Sequence, residues 1–192
     1  MYATTNTTWR MGALDTGQAL NRFLVEVERR AFRMAYIATG SREDALDIVQ
    51  DAMLKLAQNY AVRPSDEWPL LFQRILQSRV RDWYRRSKVR SYWNVLVGGL
   101  TGEDRDNPLS YVAETDAREP QAQALRDGAM KRLEQGVQQL PLRQQQAFLL
   151  RVWEGLDVAQ TARAMGCSQG SVKTHFSRAV HALRNMLEDH WP

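Results

Sequence analysis

Cysteine occurs once in this 192-residue sequence, as Cys167, and histidine three times. A single thiol excludes an internal disulfide framework and fits a reducing compartment. Zinc needs several thiolate or imidazole ligands at motif spacing, and these four residues do not supply it. His175 and His181 lie six apart, off the i, i+4 face that a helical metal pair uses. No apolar run approaches the roughly 20 residues that cross a bilayer, so membrane insertion is not expected. The opening MYATTNTTWRMGALD lacks the basic lead and apolar centre of a secretory signal, which points to a cytoplasmic protein. Also missing are a Gly-rich phosphate loop, a metal motif and any nucleophile–base constellation. The sequence therefore predicts neither an enzyme nor a bound cofactor.

Apolar residues make up 44% and charged residues 25%, a globular composition. The net charge is only +4, so any affinity for nucleic acid must come from where the cations sit. Helical period dominates and no segment alternates as a strand does. Leu20, Phe23, Leu24, Val27, Ala31, Met34 and Ala35 mark one apolar face. Gly40 can end that helix and Ser41 can cap the next, with Asp44 three residues on. The second helix sets Ala45, Ile48, Val49, Ala52 and Leu56 on one side and carboxylates elsewhere. After a turn at Arg63–Asp66 a third helix is predicted from about Pro69 to Lys88.

Four segments follow. Residues 1–14 form an N-terminal extension and 15–91 a first helical domain. Residues 92–120 read as an acidic linker, with GEDRDNP and AETDAREP after the apolar YWNVLV. Residues 121–192 form a second helical domain, in which Pro141 opens a helix whose Phe148, Leu149 and Val152 point inward. The expected fold is all-α: two small helical domains joined by an acidic linker.

Two stretches carry the chemistry. LDVAQTARAMGCSQGSVKTHFSRAVHALRNML fits a helix-turn-helix. Asp157 caps its first helix, Gly166 supplies the tight turn and Ser168 caps the second helix. Val172, Phe176, Ala179, Leu183 and Leu187 form a buried stripe. Gln169, Ser171, Lys173, Thr174, Ser177 and Arg178 face away from it, where a recognition helix presents side chains to base edges and phosphates. His175 reads as a polar group near the same surface. An ordinary helical hairpin with a solvated basic face is the plainer alternative. RILQSRVRDWYRRSKVR, residues 74–90, holds seven cations against one carboxylate, Asp82, and interleaves Trp83 and Tyr84. Duplex backbone asks for cations and an unstacked strand asks for aromatic faces as well. Trp68 and Tyr60 are further stacking candidates, and Trp83 suits either the core or a base.

These elements, in this order, resemble bacterial RNA polymerase sigma factors of the extracytoplasmic-function type. REDALDIVQDAMLKLAQNY looks like that family's polymerase-docking helix, and RILQSRVRDWYRR is similar to its promoter-melting helix. LPLRQQQAFLLRVWEGLDVAQTARAMGCSQGSVKTHFSRAVHALR resembles its C-terminal domain. The resemblance covers most of residues 20–188. It departs at Leu71 (commonly Trp), Ser78 (commonly Asn), Gln160 (Glu) and Thr161 (Ile), with Trp68 one helical turn before Leu71 as a substitute aromatic.

The resemblance implies a non-enzymatic specificity subunit whose partners are core RNA polymerase, promoter DNA and, in many family members, an anti-sigma factor. It places Asp47, Gln50 and Asp51 at the polymerase. It places Arg63, Trp68, Arg74, Arg79, Arg81, Trp83, Arg85 and Arg86 at the −10 element. Gln169, Ser171, Lys173, Thr174, His175, Ser177 and Arg178 fall at the −35 element. The linker would thread the RNA path, and in the free protein it would mask the basic helix. The rival reading is a conventional helix-turn-helix regulator with a sensing or dimerising N-terminal half.

Overall fold

The computed structural model describes the backbone over residues 5–96 and 120–187, with side chains over 16–88, at 128 and over 130–187. Among these residues the chain is helical and contains no strand. Helix α1 spans Thr5–Thr39, α2 Arg42–Tyr60 and α3 Trp68–Leu96, the last preceded by a single 3-10 turn, Ser65–Glu67. Helix α4 spans Pro120–Gln139, α5 Leu142–Phe148, α6 Val158–Met165 and α7 Gln169–Met186. The 101–119 acidic segment and the side chains of Trp93 and Leu96 lie outside the described residues.

Local chemistry accounts for the breaks. Ser41 accepts from the Asp44 amide at 3.3 Å, satisfying one of the free N–H groups that open α2. The five apolar positions read from the sequence are the buried face of α2. Packed against it are Val27, Ala31, Met34 and Ala35 of α1 and Phe72, Ile75, Leu76 and Val80 of α3. This first half is a three-helix bundle. Helix α1 already runs through residues 5–14, so the backbone has no break where an extension was expected, and α3 continues past Lys88 to Leu96.

In the second half α5 packs on α7, and α6 lies against both. Gly136 sits in the middle of α4 because a Cβ there would meet Leu183 Cδ2 at 3.0 Å, so the missing side chain lets α4 close on α7. After Phe148 the chain widens into one π-helical turn, Leu149–Trp153, in which Glu154 N–H donates to Leu149 O, five residues back. That turn corrects one expectation. Val152 was placed inward by helical period, yet it is 58% exposed, because the wider turn rotates it out and brings Trp153 to the core.

The halves are not separate bodies. Helix α3 packs along α6, α1 touches α4, and the buried residues form one continuous cluster.

Candidate nucleic-acid interface

The second half contains a complete helix-turn-helix. Asp157 caps α6 in a reciprocal box: its carboxylate accepts from the Gln160 amide at 2.7 Å, and Gln160 Oε1 accepts from the Asp157 amide at 2.9 Å. Glutamine therefore does here what glutamate would do. Thr161 is fully buried where the family favours isoleucine, and its hydroxyl is satisfied by donating to Asp157 O at 2.7 Å. Gly166 follows α6 at φ 62°, a left-handed conformation costly to any residue with a Cβ, and turns the chain into Ser168. Ser168 accepts from the Ser171 amide at 3.1 Å and starts α7.

Val172, Ala179 and Leu183 hold α7 to the core, with Phe176 half-buried beside Phe148 at 6.4 Å between ring centroids. Gln169, Lys173, Thr174, Ser177 and Arg178 are exposed together on the other side. Ser171 and Thr174 have local partners as well. The Ser171 hydroxyl lies 2.9 Å from that of Ser168, and Thr174 donates to Gly170 O at 3.1 Å. Among the described residues, Gln169, Lys173, Ser177 and Arg178 have no side-chain hydrogen bond, which leaves them a polar, cationic surface of a kind suited to a DNA groove.

His175 is half-buried at the edge of this face. Burial, then the charges of Arg143 and Arg178, hold its imidazole below the usual 6.5. The neutral ring is the form the fold accepts, so protonation opposes folding, at a cost that appears as pH falls below 6.5. An NMR titration should give His175 a midpoint below 6.5, and Arg143→Ala should move it upward. An unmoved midpoint in that variant would remove Arg143 as a cause.

The C-terminal end of α6 draws two cations. Arg143 donates to Met165 O at 2.9 Å and Arg81, from α3, donates to the same oxygen at 2.5 Å. A helix C-terminus concentrates unpaired carbonyls and negative dipole, which explains why guanidinium groups gather there. Burial, chiefly, and then the Arg143 charge lower the Arg81 pKa, with Asp82 opposing them.

Along α3 the candidate residues separate into three environments. Arg74, Arg85 and Arg86 are exposed, although Arg85 pairs with Asp82 at 2.5 Å and Arg86 reaches Asp82 O at 3.3 Å. Lys88 lies over the Tyr84 ring at 5.0 Å, forming a small cation–aromatic surface. Arg79 sits in the seam with α2, 3.9 Å from Asp51, its Nε buried. Trp83 is half-buried against the core.

Trp68 requires correction. It is 2% exposed, its indole N–H donates to Tyr60 O at 3.1 Å, and its ring lies 5.9 Å from Phe23. It is a core residue that anchors the turn before α3 and offers no face for a base to stack on. Arg63 remains exposed, 3.9 Å from Glu67. On α2, Asp47, Gln50 and Asp51 are all exposed.

Sequence reasoning missed four residues that help join the halves: Arg33, Glu134, Gln145 and Gln146. Glu134 lies 101 positions from its partner Arg33, and no local pattern announces a pair at that separation. Among the described residues no group of His, Cys, Asp and Glu is arranged to hold a metal ion, and no helix is long and apolar enough to cross a membrane.

The helix-turn-helix, with a carboxylate-free outer face on α7, is packed through α6 beside the cation-rich α3. A family model described as sigma-70, region 4 matches residues 130–183, from late α4 to most of α7. The chain is 28% identical over 176 residues to the ECF RNA polymerase sigma factor BldN of Streptomyces coelicolor, covering 89% of this chain and 61% of that protein. It is 26% identical to the RNA polymerase sigma factor SigV of Bacillus subtilis, over 81% of this chain and 83% of SigV. The fold matches the sigma factor RpoE of Bartonella quintana, solved in complex with the anti-sigma factor NepR, at a TM-score of 0.63 and 21% identity, over 89% of this chain and 98% of that one. Residues 130–183 thus resemble sigma-70 region 4, and most of the chain is similar to extracytoplasmic-function sigma factors. The chain spans about three fifths of BldN's length.

Proposed function

We propose that this chain is a promoter-specificity subunit: it binds core RNA polymerase, recognises −10 and −35 elements and directs transcription initiation. The observation that carries the reading is the pairing of two DNA-facing surfaces in one chain. One is the open Gln169, Lys173, Ser177 and Arg178 face of α7, inside the segment matched by region 4. The other is the exposed Arg74, Arg85 and Arg86 on α3. A conventional regulator would need the first surface and have no use for the second. In this reading the first domain is 15–91, the helix-turn-helix domain is 121–192, and residues 92–120 connect them through the polymerase.

Each surface has its own task. Helix α7 enters the major groove at −35, where Gln169 and Lys173 reach base edges and Arg178 holds phosphate. The α3 cations hold the backbone at −10, and Trp83 and Tyr84 supply the aromatic surface for an unstacked base. Strand opening is driven by binding, and the chain itself catalyses nothing. Asp47, Gln50 and Asp51 meet the polymerase, the protein works in the cytoplasm, and an anti-sigma factor is a fitting regulator.

Run-off transcription with purified core polymerase tests the whole reading, because promoter-specific transcripts must appear when the chain is added. DNA binding without initiation would hand the case to the conventional regulator. Lys173→Ala is expected to weaken initiation at a −35-dependent promoter by about 1–3 kcal/mol, roughly 5- to 150-fold. The same variant should leave a promoter lacking that element nearly untouched. Equal losses on both would move Lys173 out of the −35 contact.

A further inference from the structure

We propose that Arg151 is a positioning residue for promoter recognition: from the π turn it ties the entry of α6 to the packed side of α7, and so sets how α7 lies in the −35 groove without touching DNA itself. The inference rests on the promoter-specificity reading above, in which α7 reads the −35 element.

The tie is made from one side chain and one short stretch of backbone. Leu156 N–H donates to Leu150 O at 3.0 Å, and Leu156 O accepts from Arg151 Nη1. Leu156 is therefore bound to the π turn through both of its polar backbone groups, immediately before the Asp157 cap of α6. The same guanidinium lies over the Phe176 ring of α7, 5.9 Å from its centroid. Phe176 also stacks on Phe148, three residues before Arg151, with 19° between the ring planes. One side chain thus reaches both helices of the helix-turn-helix.

The chemistry of the guanidinium suits this task. It is planar, so it can donate in its plane to a carbonyl while its flat face meets an aromatic ring. A lysine ammonium is a point charge and has no such face. Among the described residues, the other side-chain donor near Leu156 O is the Thr161 hydroxyl. It stands 3.5 Å away and donates to Asp157 O at 2.7 Å.

Two observations set Arg151 apart from the groove-facing cations. It meets α7 through Phe176, which belongs to the stripe that packs on the core, whereas Gln169, Lys173, Ser177 and Arg178 face outward. It is also half-buried, while Lys173 and Arg178 are exposed. Its influence on base reading therefore passes through the orientation of α7. Phe176 adjoins Ser177 and lies one turn from Lys173, so a turn of the ring carries the outer face with it. Rotating α7 by about 20° moves a side-chain end roughly 5–6 Å from the helix axis through about 2 Å. Productive contacts tolerate about 0.5 Å, so a small rotation is enough to misalign Gln169 and Lys173 with base edges.

The test uses holoenzyme reconstituted from core polymerase and the full chain. The templates are a promoter chosen by mapping transcript 5′ ends and the same DNA with its −35 element replaced. Arg151→Met keeps the apolar stem and removes the guanidinium. It should lower run-off initiation at the intact promoter by about tenfold, the size of one lost base contact, and change the −35-replaced promoter by less than about twofold. A loss of stability alone would lower both promoters together. The dependence of promoter affinity on salt should keep its wild-type slope, because losing a phosphate contact would flatten it by about 0.9. Arg151→Lys, which keeps the charge, should show the same selective loss, and it stands in should Arg151→Met fail to fold. Phe176→Leu should also lose −35 discrimination, and adding Arg151→Met to it should cost little more, because both act through one ring. Retained discrimination, a flatter salt slope, full activity of Arg151→Lys, or independent losses from the two substitutions overturns the positioning role. A wild-type holoenzyme that makes no promoter-specific transcript overturns the promoter reading itself, and the positioning role with it.

Discussion

Trp68→Ala should destabilise the chain by about 3–5 kcal/mol, the range for removing a well-packed aromatic. The indole is enclosed by the first bundle, tilted against Phe23, with its N–H donating to Tyr60 O. Truncation opens a cavity and leaves that carbonyl without its side-chain donor. For a chain of this length the loss corresponds to a fall of about 6–20 °C in Tm. The outcome separates two roles that an aromatic beside basic residues can have. A base-stacking tryptophan would leave melting unchanged and cost about 1–3 kcal/mol of single-strand affinity. The buried position requires the reverse: a large fall in Tm, with the folded fraction binding single-stranded DNA as before. A wild-type melting curve combined with lost DNA binding would show that Trp68 leaves the core.

Reversing Asp47 and Asp51 to lysine together should nearly abolish competition for core polymerase while sparing the fold. Both carboxylates are exposed on α2, and among the described residues only Asp51 has a cation within ion-pair distance, Arg79 at 3.9 Å. Exposed pairs of that length contribute little, so stability should change by no more than about 1 kcal/mol. Like charges set against each other across an interface cost several kcal/mol, so about a hundredfold loss of polymerase affinity is expected. Competition against a second specificity subunit measures it, alongside a melting curve and single-strand binding as controls. Undiminished competition would place the docking surface elsewhere on the chain.

The sequence reveals the helices because their signals are local. Ser41 with Asp44, Asp157 with Gln160, and Ser168 all cap helices where short-range pattern put them, and the buried face of α2 was readable position by position. The outer face of α7 was equally accessible, since its period is set by the Val172–Leu183 stripe. Three features escaped for physical reasons. Val152 was misplaced because a π turn interrupts the 3.6-residue period without any marker residue. Trp68 looked like a stacking residue because tryptophan beside cations has the same composition whether it faces a base or a bundle. The seam between the halves was invisible because its partners lie 69 to 108 positions apart and include backbone carbonyls, which carry no side-chain signature.

The π turn at Leu149–Trp153 also matters for comparing chains. A π turn is an α-helical turn that holds one extra residue, so a relative lacking one residue between Gln146 and Gly155 can keep the same helix-turn-helix in the same place. An alignment with such a relative should open a single-position gap there, ahead of α6. Without that gap, every outer-face position from Gln169 to Arg178 is compared with its neighbour, and any specificity pattern inferred from such columns is shifted by one.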